Sequence, residues 1–305
     1  MLIGNNNNKI NNTWELTRAS VDGLVKAIES GRNEVFSAYL QTMARFHNYS
    51  ARNVLLIAAQ RPTATHLEGV RSWNELGRFV RPGEKGIFIF APTVGVKDNN
   101  QSHPQTHDTS KKSGKGKKAA ETPKEPAQQP ETQLLGFRGV YVFDVAQTGG
   151  EDLPETRKPL AAAEMLEKLT AFAQSQKMSI EQTSWIAPNK ATSYRGVIRL
   201  LPNMQPAEAF PVLLCEVASQ MLYAIQRRTF VTRALHQQET RAAAFVVCEA
   251  FGLESKTAFA DCQLYYGDSR LLGESLEVVH RTAAAILRAI SPEEGMPAKS
   301  AQGVN

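Results

Sequence analysis

Between Trp14 and about Ala59 the apolar residues recur at helical spacing, first as Val21, Leu24, Val25 and Ile28 and then as Val35, Phe36, Tyr39, Leu40 and Met43. Ser30-Gly31 interrupts the pattern, so two or three amphipathic helices are predicted. The pattern then changes. In VRSWNELGRFVRPGEKGIFIFAP a turn at Arg81-Pro82-Gly83 precedes the β-branched and aromatic run Ile87 to Phe90, which reads as a strand leaving a turn. A second strand-like run, FRGVYVFDV at 137–145, is expected to pair with it. Between them, residues 97–133 are Lys, Gly, Ser, Pro, Gln and Thr with no aromatic residue, as in KKSGKGKKAAETPKEPAQQPE. Such a run cannot bury enough apolar surface to order itself, so it is expected to be a disordered insertion within one domain.

Helical periodicity returns after Pro159. It predicts a helix from Leu160 to Phe172, a short strand at Gly196 to Leu201, and a helix through PVLLCEVASQMLY at 211–223. Two more helices follow, HQQETRAAAFVVCEAFGL closed by Gly252, and Leu276 to Ile290 ending before Pro292. The pattern as a whole implies an α+β chain of two domains, at 10–155 and 156–292, with a disordered tail at 293–305.

Composition narrows this picture only a little. The 305 residues are 42% hydrophobic and 21% charged, as in a soluble globular protein. The formal charge of +5 permits an acidic partner without demanding one. Its distribution says more, because residues 45–85 carry seven cations against three carboxylates and every one of those cations but Lys85 is Arg. Arginine is the side chain best suited to forked phosphate contacts and to stacking on bases. Three widely spaced cysteines (Cys215, Cys248, Cys262) suggest neither a disulfide framework nor a thiolate zinc site. With no apolar signal region in MLIGNNNNKINN and no membrane-length apolar run, a cytoplasmic location off the membrane is expected.

The run FHNYSARNVLLIAAQRPTATHLEGVRSWNELGRFVRPGEKGIFIFAP, followed after the insertion by YVFDVAQTGGEDLP, resembles the N-terminal single-stranded-DNA-binding domain of the ArdC-type antirestriction proteins. N-Y-S-x-x-N, a Trp and G-R-x-V-x-x-G-E-K-G-I stand in the order that family has them. The later succession SYRGVIRL, CEVASQMLY and ETRAAAFVVCEAFGL resembles its mostly helical, zincin-like metallopeptidase domain. The resemblance implies a plasmid- or mobile-element-associated protein that binds single-stranded DNA and protects incoming DNA from restriction.

For the first domain it points to Arg45, Asn48, Tyr49, Arg52, Asn53, Arg71, Trp73, Arg78, Arg81 and Lys85 as nucleic-acid contacts, since a single-strand groove combines cations for phosphates with flat rings for bases. The alternatives stay open: Trp73, Phe46 and Tyr49 could be core aromatics, Asn48 and Asn53 could be capping residues, and the arginines could form a solvated face.

In the second domain the resemblance implies H-E-x-x-H plus a third ligand four residues before an aromatic. Here those positions hold Cys215, Ser219 and Arg241, and only Glu216, the general base, remains. Serine is a poor zinc ligand and a guanidinium repels a cation, so no metal, no cofactor and no peptidase activity are expected, and the domain becomes a structural or protein-binding surface. The rival reading is a metallopeptidase whose site has been rebuilt around Cys215, Glu216 and Glu239, with His236 one turn from Glu239. A Cys215–His236 nucleophile pair has no support beyond the presence of both residues, and His236, in the polar run RALHQQE, is expected to be solvated.

Overall fold

The computed structural model describes residues 4–96, 132–153, 160–227, 230–253 and 268–291. Three helices open the chain: α1 (Gly4–Glu29), α2 (Asn33–Arg45) and α3 (Ala51–Gln60). The predicted break falls where expected, with Gly31 in the left-handed region at φ 73° closing α1. α1 begins earlier than its apolar periodicity, which starts only near Val21. Leu24, Val25 and Ile28 of α1 are buried with Phe36, Leu40 and Met43 of α2. Ser50 starts α3 by accepting the Asn53 N–H at 3.3 Å, so the middle of the N-Y-S-x-x-N run is an N-cap.

The strands that follow are β1 (Leu67–Glu68), β2 (Arg78–Val80), β3 (Ile87–Val96), β4 (Thr132–Asp144) and β5 (Thr148–Gly150), with the short α4 (Val70–Glu75) between β1 and β2. β4 lies between β1 and β3 in an antiparallel sheet, while β2 and β5 form a separate ribbon. The expected pairing holds, with Ile87 opposite Val142 and Phe90 opposite Gly139. It also continues beyond the expected run, to Val96 opposite Thr132, so residues 132 and 133 belong to a strand. The rest of the expected insertion, like the 293–305 tail, lies outside the described residues.

The outer edge of β3 is closed by α3. The carboxamide of Asn53 donates to Phe90 O at 2.8 Å and accepts its N–H at 2.9 Å; Gln60, two turns on, does the same for Phe88 at 2.9 Å and 2.9 Å. Two side chains therefore stand in for a missing strand and remove an open edge.

The second unit contains α5 (Ala162–Ser175), a sheet of β6 (Ser179–Gln182), β7 (Ala191–Tyr194) and β8 (Val197–Leu200), and then α6 (Pro206–Ala224), α7 (Arg233–Ala250) and α8 (Ser269–Ile290). β8 lies centrally, parallel to β6 and antiparallel to β7. β6 and β7 are short and largely polar, which is why periodicity did not reveal them. α2 packs on α7, and α1 and α3 pack on α8. One continuous apolar core therefore runs from Leu24 and Leu40 through Phe210 and Val246 to Ile286. No helix among the described residues is long and apolar enough to cross a membrane.

Candidate functional site

The residues expected to contact nucleic acid divide into those the fold uses and those it leaves outside. Trp73 is 0% exposed and donates its indole N–H to Phe143 O at 2.9 Å. It cannot stack on a base, so the core alternative for this residue is the correct one. Asn53 is committed to the β3 edge. Tyr49 is half-buried, its hydroxyl donates to Leu67 O at 3.3 Å, and burial, aided by the Glu68 carboxylate, pushes its phenol up to about 12.

Several arginines are anchored to the fold. Arg45 donates to Pro62 O at 2.6 Å, Arg78 to Thr148 Oγ1 at 2.8 Å and to Glu151 O, and Arg81 to Ala146 O. Arg71 pairs with Glu75 at 3.1 Å, and Arg52 lies within electrostatic reach of Glu277 on α8, partial burial holding its guanidinium below the usual range. Asn48 and Lys85 are exposed.

A different surface carries the rings. In the β3–β4 ribbon Ile87, Ile89, Ala91 and Val142 face the core, which turns the alternate positions outward. Phe88 opposite Tyr141, Phe90 opposite Gly139 and Pro92 opposite Phe137 form that outer face, with Phe137 62% and Tyr141 55% exposed. Phe88 meets both Phe90 and Tyr141 edge-to-face, at centroid separations of 5.8 Å and 5.5 Å. A Cβ at Gly139 would lie 2.3 Å from the Phe88 ring, so the glycine is what lets this ring lie flat across the ribbon. At the other end a Cβ at Gly86 would lie 2.9 Å from Tyr141 Cβ, so the backbone entering β3 passes close under that ring. Sequence reasoning read these runs as paired strands and assigned neither face an exposure. Aromatics spaced two apart, at Phe88 and Phe90 and again at Tyr141 and Phe143, were the signal that one whole face is aromatic.

In the second unit helix α6 faces α7. Ser219 Oγ lies 3.0 Å from His236 Nε2, and Tyr223 stacks on the imidazole with centroids 3.6 Å apart. His236 is thus buried, not solvated, because these side chains and α7 itself enclose it. Burial lowers its pKa, the Glu239 carboxylate opposing and Arg227 adding to the shift. Its ring nitrogen engages Ser219, not Cys215.

Glu239 is held by both arms of the Arg227 guanidinium at 2.7 Å each and by the Ser275 hydroxyl from α8 at 2.5 Å. Arg241, reached by counting from the aromatic, is exposed, and the inward residues of α7 at this level are His236 and Glu239. Burial, with the Glu216 charge, pushes the Cys215 thiol up to about 11 against the lowering effect of Arg241. Burial likewise raises Cys248, to about 12. Both are poor thiolates at neutral pH. Among the described residues no three His, Cys, Asp or Glu side chains are grouped to hold a metal ion, and the best-placed carboxylate is already neutralised by a cation. These residues do not fit a zincin-type metal.

A family model for the N-terminal domain of anti-restriction factor ArdC matches residues 15–143. Two crystal structures of antirestriction ArdC protein from R388 plasmid share the fold. The metal-free form has 18% identity and a TM-score of 0.52, covering 90% of this chain and 98% of that one. The Mn(II)-bound form has 18% identity and a TM-score of 0.51, covering 92% and 99%. No curated protein matches the sequence. The chain therefore resembles the ArdC-type antirestriction proteins, in sequence over its first unit and in fold over nearly its whole length.

Proposed function

We propose that this chain, an ArdC-type protein by resemblance, binds single-stranded DNA in an antirestriction role, while its second unit keeps a peptidase-like shape without peptidase chemistry. The observation that carries the binding half is the aromatic face of the β3–β4 ribbon, exposed among the described residues, with Arg81 and Lys85 exposed on the turn that leads into β3. Exposed rings in a row offer successive bases a stacking surface, and cations beside them neutralise phosphates. Duplex bases cannot use such a surface without being unpaired. The inactive half is supported by the Arg227–Glu239 pair, which puts a fixed guanidinium where the rebuilt metal site needs a free carboxylate.

Anisotropy of a labelled oligonucleotide tests the reading. Tyr141→Ala should weaken single-strand binding by about 1–3 kcal/mol, the value of one stacked base, with little change in salt dependence. Lys85→Ala should instead shallow the slope of log K against log salt by about 0.7. Neither exposed side chain should shift the melting curve, which separates lost contact from lost fold. Equal or tighter binding to duplex across salt concentrations would refute the single-strand assignment. Stoichiometric metal that is lost on Cys215→Ala or Glu239→Gln would overturn the inactive reading in favour of a rebuilt metallopeptidase.

A further inference from the structure

Among the described residues the second unit has an exposed sheet face of its own. In the β6–β8–β7 sheet Ile198 and Leu200 are buried against the helices, and Ser193 on the same side accepts from Gln220 of α6 at 2.9 Å. The opposite side carries Arg199 between Glu181 and Thr192, and Val197 beside Tyr194. Two large rings stand at this face, Trp185 from the loop after β6, 70% exposed, and Tyr194, 65% exposed. Each already has a guanidinium on one side: Arg199 lies 5.4 Å from the Trp185 ring centroid and Arg195 5.2 Å from that of Tyr194. Residues 177–200 hold four cations (Lys177, Lys190, Arg195, Arg199) and one carboxylate, Glu181. Lys190 is paired with Glu208 of α6 at 2.6 Å and Arg199 with Glu181 at 3.2 Å, which leaves Lys177 and Arg195 as surplus charge among the described residues. Exposed pairs of this kind are worth little and exchange readily with a stronger anion.

We infer that this face is a second contact for single-stranded nucleic acid, with Trp185 and Tyr194 as stacking rings and Arg195 and Arg199 as phosphate contacts. A ring with an arginine on one side and solvent on the other can take a base on its free side, the cation–π contact strengthening the stack. The polar positions between the rings (Ser179, Glu181, Thr192) make the face a poor match for the apolar centre of a protein interface. The second unit would then serve nucleic-acid binding as well. The inference uses the ligand class proposed above but none of its residues, so the two can fail separately.

The full chain carries its own reporter. Of its three tryptophans Trp73 is buried and Trp185 exposed, so the emission difference between the chain and Trp185→Phe isolates the signal from this face. Adding oligo(dT) should quench that difference signal, and Tyr194→Ala or Arg195→Ala should weaken binding of a labelled oligo(dT) by about 5-fold or more, with melting unchanged. If anisotropy reports binding while the Trp185 signal and the affinities of these variants stay as in the parent, the face is not a nucleic-acid contact and a protein partner takes its place. Quenching at Trp185 with Phe88→Ala and Tyr141→Ala both neutral would sink the ribbon reading and leave this one standing. No binding by anisotropy at low salt would overturn both.

Discussion

Replacing Arg227 by alanine should destabilise the protein more than replacing Glu239 by glutamine, although both changes break the same ion pair. The side chain of Glu239 is 0% exposed and that of Arg227 9%, with two contacts of 2.7 Å between them. Without Arg227 the carboxylate remains inside the packed helices α6, α7 and α8 with only the Ser275 hydroxyl, and an abandoned buried charge of this kind costs about 3–5 kcal/mol. Without the charge at 239, glutamine still fills the space and can still hydrogen-bond. The guanidinium, beyond the end of α6 and not fully enclosed, can swing its head toward water, so roughly 1–2 kcal/mol is expected. Removing both charges, as Arg227→Met with Glu239→Leu, should cost less than Arg227→Ala alone, because no group is then left unpaired. Urea unfolding followed by far-ultraviolet circular dichroism measures all four proteins. A change under about 1 kcal/mol for Arg227→Ala, or a larger loss for Glu239→Gln than for Arg227→Ala, would show that the pair does not fasten these helices.

Two further outcomes follow from the geometry. Val96 and Thr132 are paired, so a two-residue Asn-Gly turn in place of residues 97–131 can close the hairpin; the shortening is roughly four doublings at about 0.6 kcal/mol each, so melting should rise by up to a few degrees, and loss of cooperative unfolding would show that the segment contributes to the fold. His280 of α8 is buried against the α2–α3 turn, where burial first, then the charges of Arg288 and His47, hold its pKa at about 4, the backbone of Tyr49 and His47 opposing. Its folded value lies below its unfolded value, so the unfolded chain takes up the proton first. Stability should therefore fall as pH drops from about 6.5 towards 4, by roughly 2–3 kcal/mol, and His280→Leu should flatten that part of the pH profile in chemical denaturation. An identical slope in the variant would remove His280 as the source.

What could be read from the sequence, and what could not, follows from the range of each signal. Helical periodicity is local, and it located α2 and α5, which bury one stripe against a neighbour, while α3 and α7, buried on all sides over Asn53–Ile57 and Ala242–Cys248, were marked by apolar runs between polar ends. The Ile87–Phe90 pairing with 137–145 was legible because both strands carry strong β-formers. β1, β6 and β7 were not, since two to four polar residues hold a strand only through partners distant in sequence. The direction of each aromatic was also hidden. Trp73 in a polar run looked available, yet the sheet closes over it, while Phe88 and Tyr141, in runs read only as strands, are put outside by the period of two. The same long-range dependence decides the surroundings of α6. From α6 alone, Cys215-Glu216 and Ser219 read as a lost metal site with an open question over what replaced it. The replacement is assembled from elsewhere: His236 and Glu239 from α7, Arg227 from beyond α6, Ser275 from α8.

The resemblance motif itself has an architectural cause in this chain. Within FHNYSARN, Phe46 and Tyr49 pack edge-to-face at 5.9 Å, Ser50 caps α3, and Asn53 closes the edge of β3. The turn that carries them also touches α8, through the backbone contacts of His47 and Tyr49 with His280 and through Arg52 near Glu277. Residues that look like ligand contacts by type thus set the angle between the helices and the ribbon and join the first unit to the second. The proposed binding surface then falls to side chains that hold no helix or strand edge in place. On the ribbon these are Phe88, Phe137 and Tyr141, and their neighbours Gly139 and Gly86 are small because a ring lies across each of them. A substitution in the motif should therefore lower stability and affinity together, whereas one on the aromatic face should lower affinity alone, so measuring melting beside binding for Asn53→Ala and Tyr141→Ala distinguishes scaffold from surface. If Asn53→Ala weakens binding with melting intact, the motif contacts nucleic acid directly and this division of labour is wrong.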